Sequence, residues 1–256
     1  PGGGELLLRV FILAIAVGVL LWLLFISLTT IVHWIPIHYE QRLVGNWQTD
    51  EPDSQNIYLQ KLSENLARAG GLDPALITIH VQANETVNAF ATLGGNIVVF
   101  EGLLDALDSE QALAFVLAHE VAHIALRHPI EGLARHMGFS LTLALVFGHS
   151  DVASIAGAGG NLALLTYSRD FERAADVWAY RALINHYGHI NGSDNLFHTL
   201  AEQPGNNIPA WLATHPDIGE RLTLRERWST DNDWPLNGPL TPLPNWQPTE
   251  PAASTH

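Results

Sequence analysis

Leu117-Ala-His119-Glu120-Val-Ala-His123-Ile-Ala-Leu-Arg127-His128 is the stretch whose reading decides the fold. On a helix, His119 and His123 fall four apart on one face, close enough to hold one metal ion, with Glu120 beside them. From Gln111 to Leu126 the only formally charged side chain is Glu120, so no polar stripe marks a side facing water. Such a helix is buried nearly all round. A lone carboxylate in a low-dielectric interior costs several kcal/mol unless it is partnered, and a zinc ion with a water beside it would remove that cost.

The composition narrows what can surround this helix. At 256 residues and 47% apolar, the chain is long enough for one well-buried domain plus appendages. It has no cysteine, so disulfides, thiolate metal sites and a cysteine nucleophile are excluded, and histidines and carboxylates remain as the strong metal ligands. A formal charge of −14 with 12 basic residues argues against nucleic acid and against a polybasic mode of membrane binding.

Upstream of the zinc helix, Ser109 is placed to cap its start. Thr86 to Leu93 and Asn96 to Phe100 flank Gly94-Gly95, a hairpin signal, and Leu76 to Val81 alternates imperfectly. A small antiparallel sheet beside the helix is expected. Before it, Asp53 or Ser54 caps an amphipathic helix that runs to Gly70-Gly71. Further back, Val10 to Val32 carries no charge and is nearly all apolar, enough to cross a hydrocarbon core of about 30 Å. We read residues 10–34 as one transmembrane helix after a short flank, 1–9. A cleaved signal would have a shorter apolar core, and Trp34 and Tyr39 sit where an aromatic belt would anchor the end of the span. Arg9 and Arg42 nearly balance, which leaves a faint preference for the domain outside the cytoplasm.

Downstream, residues 138–165 form a second apolar region, too interrupted to span. It reads either as a buried helical hairpin or mobile loop or as a re-entrant, membrane-apposed element. Ser168 caps a helix to about His186 on which Glu172, Asp176, Ala179 and Leu183 share one face. Shorter helices follow around Leu196 to Glu202 and Pro216 to Trp228. The tail, 229–256, is rich in Pro, Asn and Thr and is expected to be extended or flexible, with Trp234 and Trp246 able to lie back on the domain.

A catalytic zinc site generally takes three protein ligands and a water, so a third ligand must come from another element. Glu172 is the candidate, with Asp176 one turn on to accept a hydrogen bond from a ligand histidine and fix its tautomer. The competing reading pairs these acids locally with Arg169, Arg173 or Arg181. Zinc lowers the pKa of its water to about 7, and Glu120 is placed to take that proton and pass it to a leaving amine. His215, in Thr214-His215-Pro216, is a candidate oxyanion donor.

Four stretches in this order, His119-Glu120-Val-Ala-His123-Ile-Ala-Leu-Arg127-His128, Ser168-Arg169-Asp-Phe-Glu172-Arg-Ala-Ala-Asp176, Asn88-Ala89-Phe90 and Thr214-His215-Pro216 with Arg221, resemble the membrane-associated gluzincin zinc metallopeptidases. That family includes heat-shock, prenyl-protein and quality-control proteases. The resemblance covers about Ile35 to Trp228. It implies an α+β, mainly helical, zincin-like domain at 35–228 that holds one Zn²⁺ through His119, His123 and Glu172, with Glu120 as base and Asp176 behind a ligand. It implies that His215 faces the active site, donating to the oxyanion or filling the open position on zinc in a resting state. Asn88 and Phe90 would border the cleft, and Ile97 to Phe100, with Ile97 and Val99, would be the edge strand to which an extended substrate adds. Arg221 is expected to pair a buried acid. With one span, the chain fits the single-anchor quality-control branch. The expectation is then a bacterial inner-membrane protein, its domain in the periplasm, that cuts unfolded or damaged polypeptides. A chaperone-like protein that holds clients and cleaves little is the alternative. His80, His136, His149, His186, His189 and His198 lack ligand spacing, and His128 is expected to end the zinc helix.

Overall fold

A computed structural model describes residues 3–45, 53–135, 138, 167–201 and 210–245. The second apolar region after Gly138, together with His136, His149 and Trp246, lies outside the described residues. Helix α1, Gly3–Ile31, is long and apolar enough to cross a membrane, its candidate span being Gly3–Leu23 with none of it buried against the rest of the chain. It starts earlier than the expected 10–34, because Glu5 and Arg9 sit inside its first turns rather than ahead of it. Burial begins at Val32, in the 3₁₀ turn Val32–Trp34 that leads into α2, Ile37–Val44.

Helix α3, Ser54–Gly70, is capped at Asp53, whose carboxylate accepts from the Asn56 N–H at 2.8 Å, and closes on Gly71 in the left-handed region. Three strands follow: β1, Thr78–Gln82; β2, Ala89–Ala91; and β3, Asn96–Phe100. Their order is β1-β3-β2, with β1 parallel to β3 and β2 antiparallel to it. The sheet is therefore mixed, and the antiparallel expectation holds only for the β2–β3 half. The connection 83–88 carries the chain past β3's future place, so β3 returns between its two predecessors. Two consequences correct the sequence reading. β3 is the middle strand and has no free edge, and Ile97 and Val99, fully buried in the main core, line no cleft. The edge strand next to the helix layer is β2, whose Ala89 and Ala91 are buried.

Helix α4, Glu101–Ala106, leads to the central helix α5, Glu110–Ala125, in which every residue from Gln111 to Ile124 is buried. Helix α6, Arg169–Tyr187, packs against both α3 and α5 and is capped by Ser168. Helices α7, Asn195–Ala201, α8, Ala210–Thr214, and α9, Ile218–Asp231, complete the domain. One core, with Leu59, Leu66, Ile97, Phe115, Tyr180 and Trp211 in it, joins the sheet to α3, α5, α6 and α8.

The tail does not begin where composition changes. Helix α9 continues to Asp231, and the extended chain after it is strapped across the start of α5. The Glu110 N–H donates to the Thr241 carbonyl at 2.8 Å, the Ile190 N–H to Pro235 at 2.9 Å, and Ser109 bridges to Pro242. Trp234 packs against the main core. Described residues of the Pro-rich stretch are thus docked, because its backbone carbonyls satisfy donors at the first turn of a helix that has none of its own.

Candidate metal centre

The second half of α5 brings His119, Glu120 and His123 into the interior, each with no exposed surface. Helical spacing turns both imidazoles toward α6 and rotates Glu120 toward β2, whose Ala91 N–H donates to Glu120 Oε2 at 2.8 Å. On α6, Glu172 and Asp176 lie one turn apart and are likewise buried. His215 follows α8, its N–H bonded to the Trp211 carbonyl at 2.9 Å.

These elements converge on one point. His119 Nε2 lies 3.0 Å from His123 Nε2, 3.4 Å from Glu172 Oε2 and 3.3 Å from His215 Nδ1. Glu172 Oε1 is 3.5 Å from His123 Nε2 and 3.1 Å from His215 Nδ1. A tetrahedral zinc with ligands at about 2.0–2.1 Å requires ligand atoms about 3.3 Å apart, and these five separations, which use both Glu172 oxygens, match that spacing. The residues that could hold the ion are His119, His123, Glu172 and His215, the set whose donor atoms all fall within 4.8 Å of one another.

The charges fit as well as the distances. Arg221 Nε and Nη2 bond Asp176 at 2.7 and 2.5 Å, and Nη1 reaches Glu172 Oε2 at 3.1 Å, so the arginine expected to pair a buried acid pairs two. Three buried carboxylates, Glu120, Glu172 and Asp176, against one buried guanidinium leave a formal −2, which a divalent cation balances. Burial raises the Glu172 carboxyl, but His215 and His119 outweigh it and hold the group well below the usual carboxylate range. Asp176 is likewise lowered, burial being outweighed by Arg221. Glu120, facing fewer positive groups, is pushed up by burial, as suits a proton acceptor rather than a ligand. Burial, then His119, keeps His123 neutral well below its ordinary value, the form in which imidazole binds metal.

Behind the donor atoms, His119 Nδ1 lies 2.9 Å from Asp176 Oδ1. The His215 ring stacks on Trp211 at 4.6 Å and turns its Nε2 to Glu120 Oε1, 3.5 Å away. Sequence reasoning missed Trp211, although a tryptophan four residues before a candidate histidine, on a helix, was a usable signal. It also missed Tyr167, next to the Ser168 cap, whose ring stacks on His123 at 4.0 Å. His128 was misplaced. Helix α5 ends at Ala125, Arg127 turns the chain with φ of 65°, and His128 opens a new helical stretch, 128–135, as a buried residue. Its charge at the C-terminus of α5 is not available, since burial, then His119, lowers its pKa to about 3.

Of the expected cleft residues, Asn88 is buried and Phe90 half-buried, its ring edge-on to Phe100 at 5.9 Å. The residue of this strand that touches the metal cluster is Ala91, through its N–H. Among the remaining histidines, His80 bonds Asn96 at 2.8 Å, His198 lies near Asp194 at the surface and His189 packs against Gly238.

Residues 53–228 match the model of peptidase family M48. The chain is 29% identical over 182 residues to the mitochondrial metalloendopeptidase OMA1 of Schizosaccharomyces pombe, covering 67% of this chain and 52% of that protein. It is 30% identical over 204 residues to a putative beta-barrel assembly-enhancing protease of Vibrio cholerae, 74% of this chain and 42% of that one. The metalloprotease YcaL of Escherichia coli is 27% identical over 203 residues, 73% of this chain and 80% of YcaL. The chain thus spans about half the length of the first two relatives. It belongs to peptidase family M48, and its His119, His123, Glu172 and His215 cluster is typical of the zinc site of that family.

Proposed function

We propose that this member of family M48 is a membrane-anchored zinc metalloendopeptidase that hydrolyses unfolded or damaged polypeptides. The observation that carries the reading is the cluster of four buried donors, with five separations of 3.0 to 3.5 Å, and Glu120 beside it. His119, His123 and Glu172 are the ligands, and zinc held there supplies a Lewis acid and a water of lowered pKa. Glu120 would act as the general base, taking a proton from the attacking water and passing it to the leaving nitrogen, its carboxylate held in place by the Ala91 N–H. Asp176 accepts from His119 and fixes its tautomer.

His215 has two duties in this proposal. With Nδ1 at the fourth vertex it closes the centre at rest, and swung away it donates to the oxyanion. The substrate's place moves from β3 to β2. Residues 88, 90 and 92 face β3 with their backbone groups, so Ala89 and Ala91 turn theirs outward, along the edge that runs past Glu120. An extended peptide adds there through the remaining outward groups of Ala89 and Ala91, the Ala91 N–H being held by Glu120, with Asn88 and Phe90 flanking it. Helix α1 supports a lipid anchor, and the near balance of Arg9 and Arg42 around it leaves the faint preference for the domain outside the cytoplasm, on the periplasmic side of a bacterial inner membrane.

Casein cleavage by the purified chain, with and without a chelator and beside Glu120→Gln, tests this. Loss in both treatments is expected, and cleavage that persisted in Glu120→Gln would sink the mechanism. A zinc-loaded chain that cut nothing would favour a client-holding protein instead. His215→Ala raises hydrolysis if closure dominates and lowers it if oxyanion donation dominates, whereas an unchanged rate removes both duties. Because the chain lacks cysteine, a single one placed at Asn237 reports the membrane side through an impermeant thiol reagent.

A further inference from the structure

The two helical ligands present the same nitrogen to the centre and therefore pose the same problem behind it. His119 and His123 both point Nε2 inward, 3.0 Å apart. A neutral imidazole that gives its Nε2 lone pair to a metal keeps its proton on Nδ1, and that proton, buried, needs an acceptor. For His119 the acceptor is the Asp176 carboxylate at 2.9 Å. For His123 no carboxylate faces Nδ1 among the described contacts, and the group that does is another imidazole: His128 Nδ1, at 2.9 Å.

We propose that His128 is the positioning residue of the zinc centre, accepting the Nδ1 proton of His123 and so fixing the ring that binds the metal. The inference rests on the zinc reading above. For the bond to form, His128 must keep its own proton on Nε2 and offer Nδ1 as a lone pair. Its surroundings hold it in that orientation. The ring is buried, stacks on Phe171 at 4.0 Å with 4° between planes, and lies 6.0 Å from Tyr167, which itself stacks on His123. Arg135 caps the assembly, its guanidinium 4.9 Å from the Phe171 ring. Phe171 immediately precedes Glu172 on α6, so one turn supplies both a ligand and the platform for the group behind another ligand. The left-handed turn at Arg127 is what brings His128 back under His123 instead of letting it continue along α5.

The two acceptors differ in kind. Asp176 shares its charge with Arg221, whereas His128 offers a neutral acceptor and adds no negative charge to a cluster that already holds three carboxylates. That choice steadies the ring without drawing another counter-ion into the interior.

Zinc affinity of the full chain in detergent, measured by competition with a chromophoric chelator, tests the proposal with His128→Ala, His128→Phe and His128→Asn. Asn carries an acceptor oxygen where histidine carries Nδ1, and Phe keeps the stack on Phe171 without any acceptor. Loss of the bond weakens zinc binding about 10–100-fold, the range for groups behind metal ligands. Ala and Phe should both show it, and Asn should recover most of it. If Phe binds zinc as tightly as the wild type, packing rather than the hydrogen bond positions His123 and the proposal fails. It fails equally if Asn is as weak as Ala while melting like the wild type. A wild-type chain that bound no zinc would instead overturn the metal reading, and this inference with it.

Discussion

The two halves of α5 are equally buried and opposite in character. From Gln111 to Ala118 the helix is packed with Leu113, Phe115, Val116 and Leu117, fully buried in the main core. From His119 to Ile124 it carries two imidazoles and a carboxylate at the same depth. The first half gains stability by removing apolar surface from water. The second forgoes much of that gain, and one polar atom of each of its three side chains is held by another element: Ala91 of β2, Asp176 of α6, His128. The lesson is that a buried active centre is affordable only next to a stretch that over-packs, and that the two should fail differently when cut.

The widest separation is expected from Glu120→Gln, which should lower peptide hydrolysis about 10²–10⁴-fold while leaving zinc content and melting temperature unchanged, read by casein assay, metal analysis and thermal melting. Arg221→Leu attacks the polar half through its counter-ion. It leaves Asp176 and Glu172 without their buried partner, and chemical denaturation should show a loss of about 3–5 kcal/mol. In the apolar half, Leu117→Ala should cost about 2–5 kcal/mol, yet the fraction still folded should retain the wild-type rate, since the side chain belongs to the main core and offers no donor atom to the metal centre. A rate loss there as large as that of Glu120→Gln would break the division between the halves. The smallest effect comes at the strap over the start of the helix. In Gly238→Ala the new methyl would meet the His189 ring at 2.0 Å, and a cost of about 1–3 kcal/mol is expected, with hydrolysis unaffected.

The same division explains what the sequence could reveal. Helix α5, its ligands and the Glu172 and Asp176 spacing were legible because their signals are local: helical periodicity, a capping serine, and lone charges in an apolar run. The zinc-binding character of the chain was legible for the same reason. The sheet was not. A Gly-Gly turn announces that β2 and β3 pair, but nothing local announces that β1 will take the far side of β3 in parallel, so Ile97 and Val99 were assigned to an edge they do not form. His128 was illegible for a related reason. Its position under His123 depends on a positive φ at Arg127, which costs a non-glycine residue about 1–2 kcal/mol and is sustained by bonds to Glu40 and the Ile35 carbonyl, more than eighty residues upstream.

Those upstream bonds set how the domain is carried. Val32 is buried against Leu93 and Ile130, His33 pairs with Glu131 at 3.3 Å, and Glu40 holds both Arg127 and the Gly94 N–H at the β2–β3 turn. A domain on a leash would sweep a hemisphere and meet clients from every side. With α1 in a bilayer, as proposed, a domain bolted at these points would be a post: its β2 edge would keep a constant height and bearing, and reach would be a property the substrate must bring.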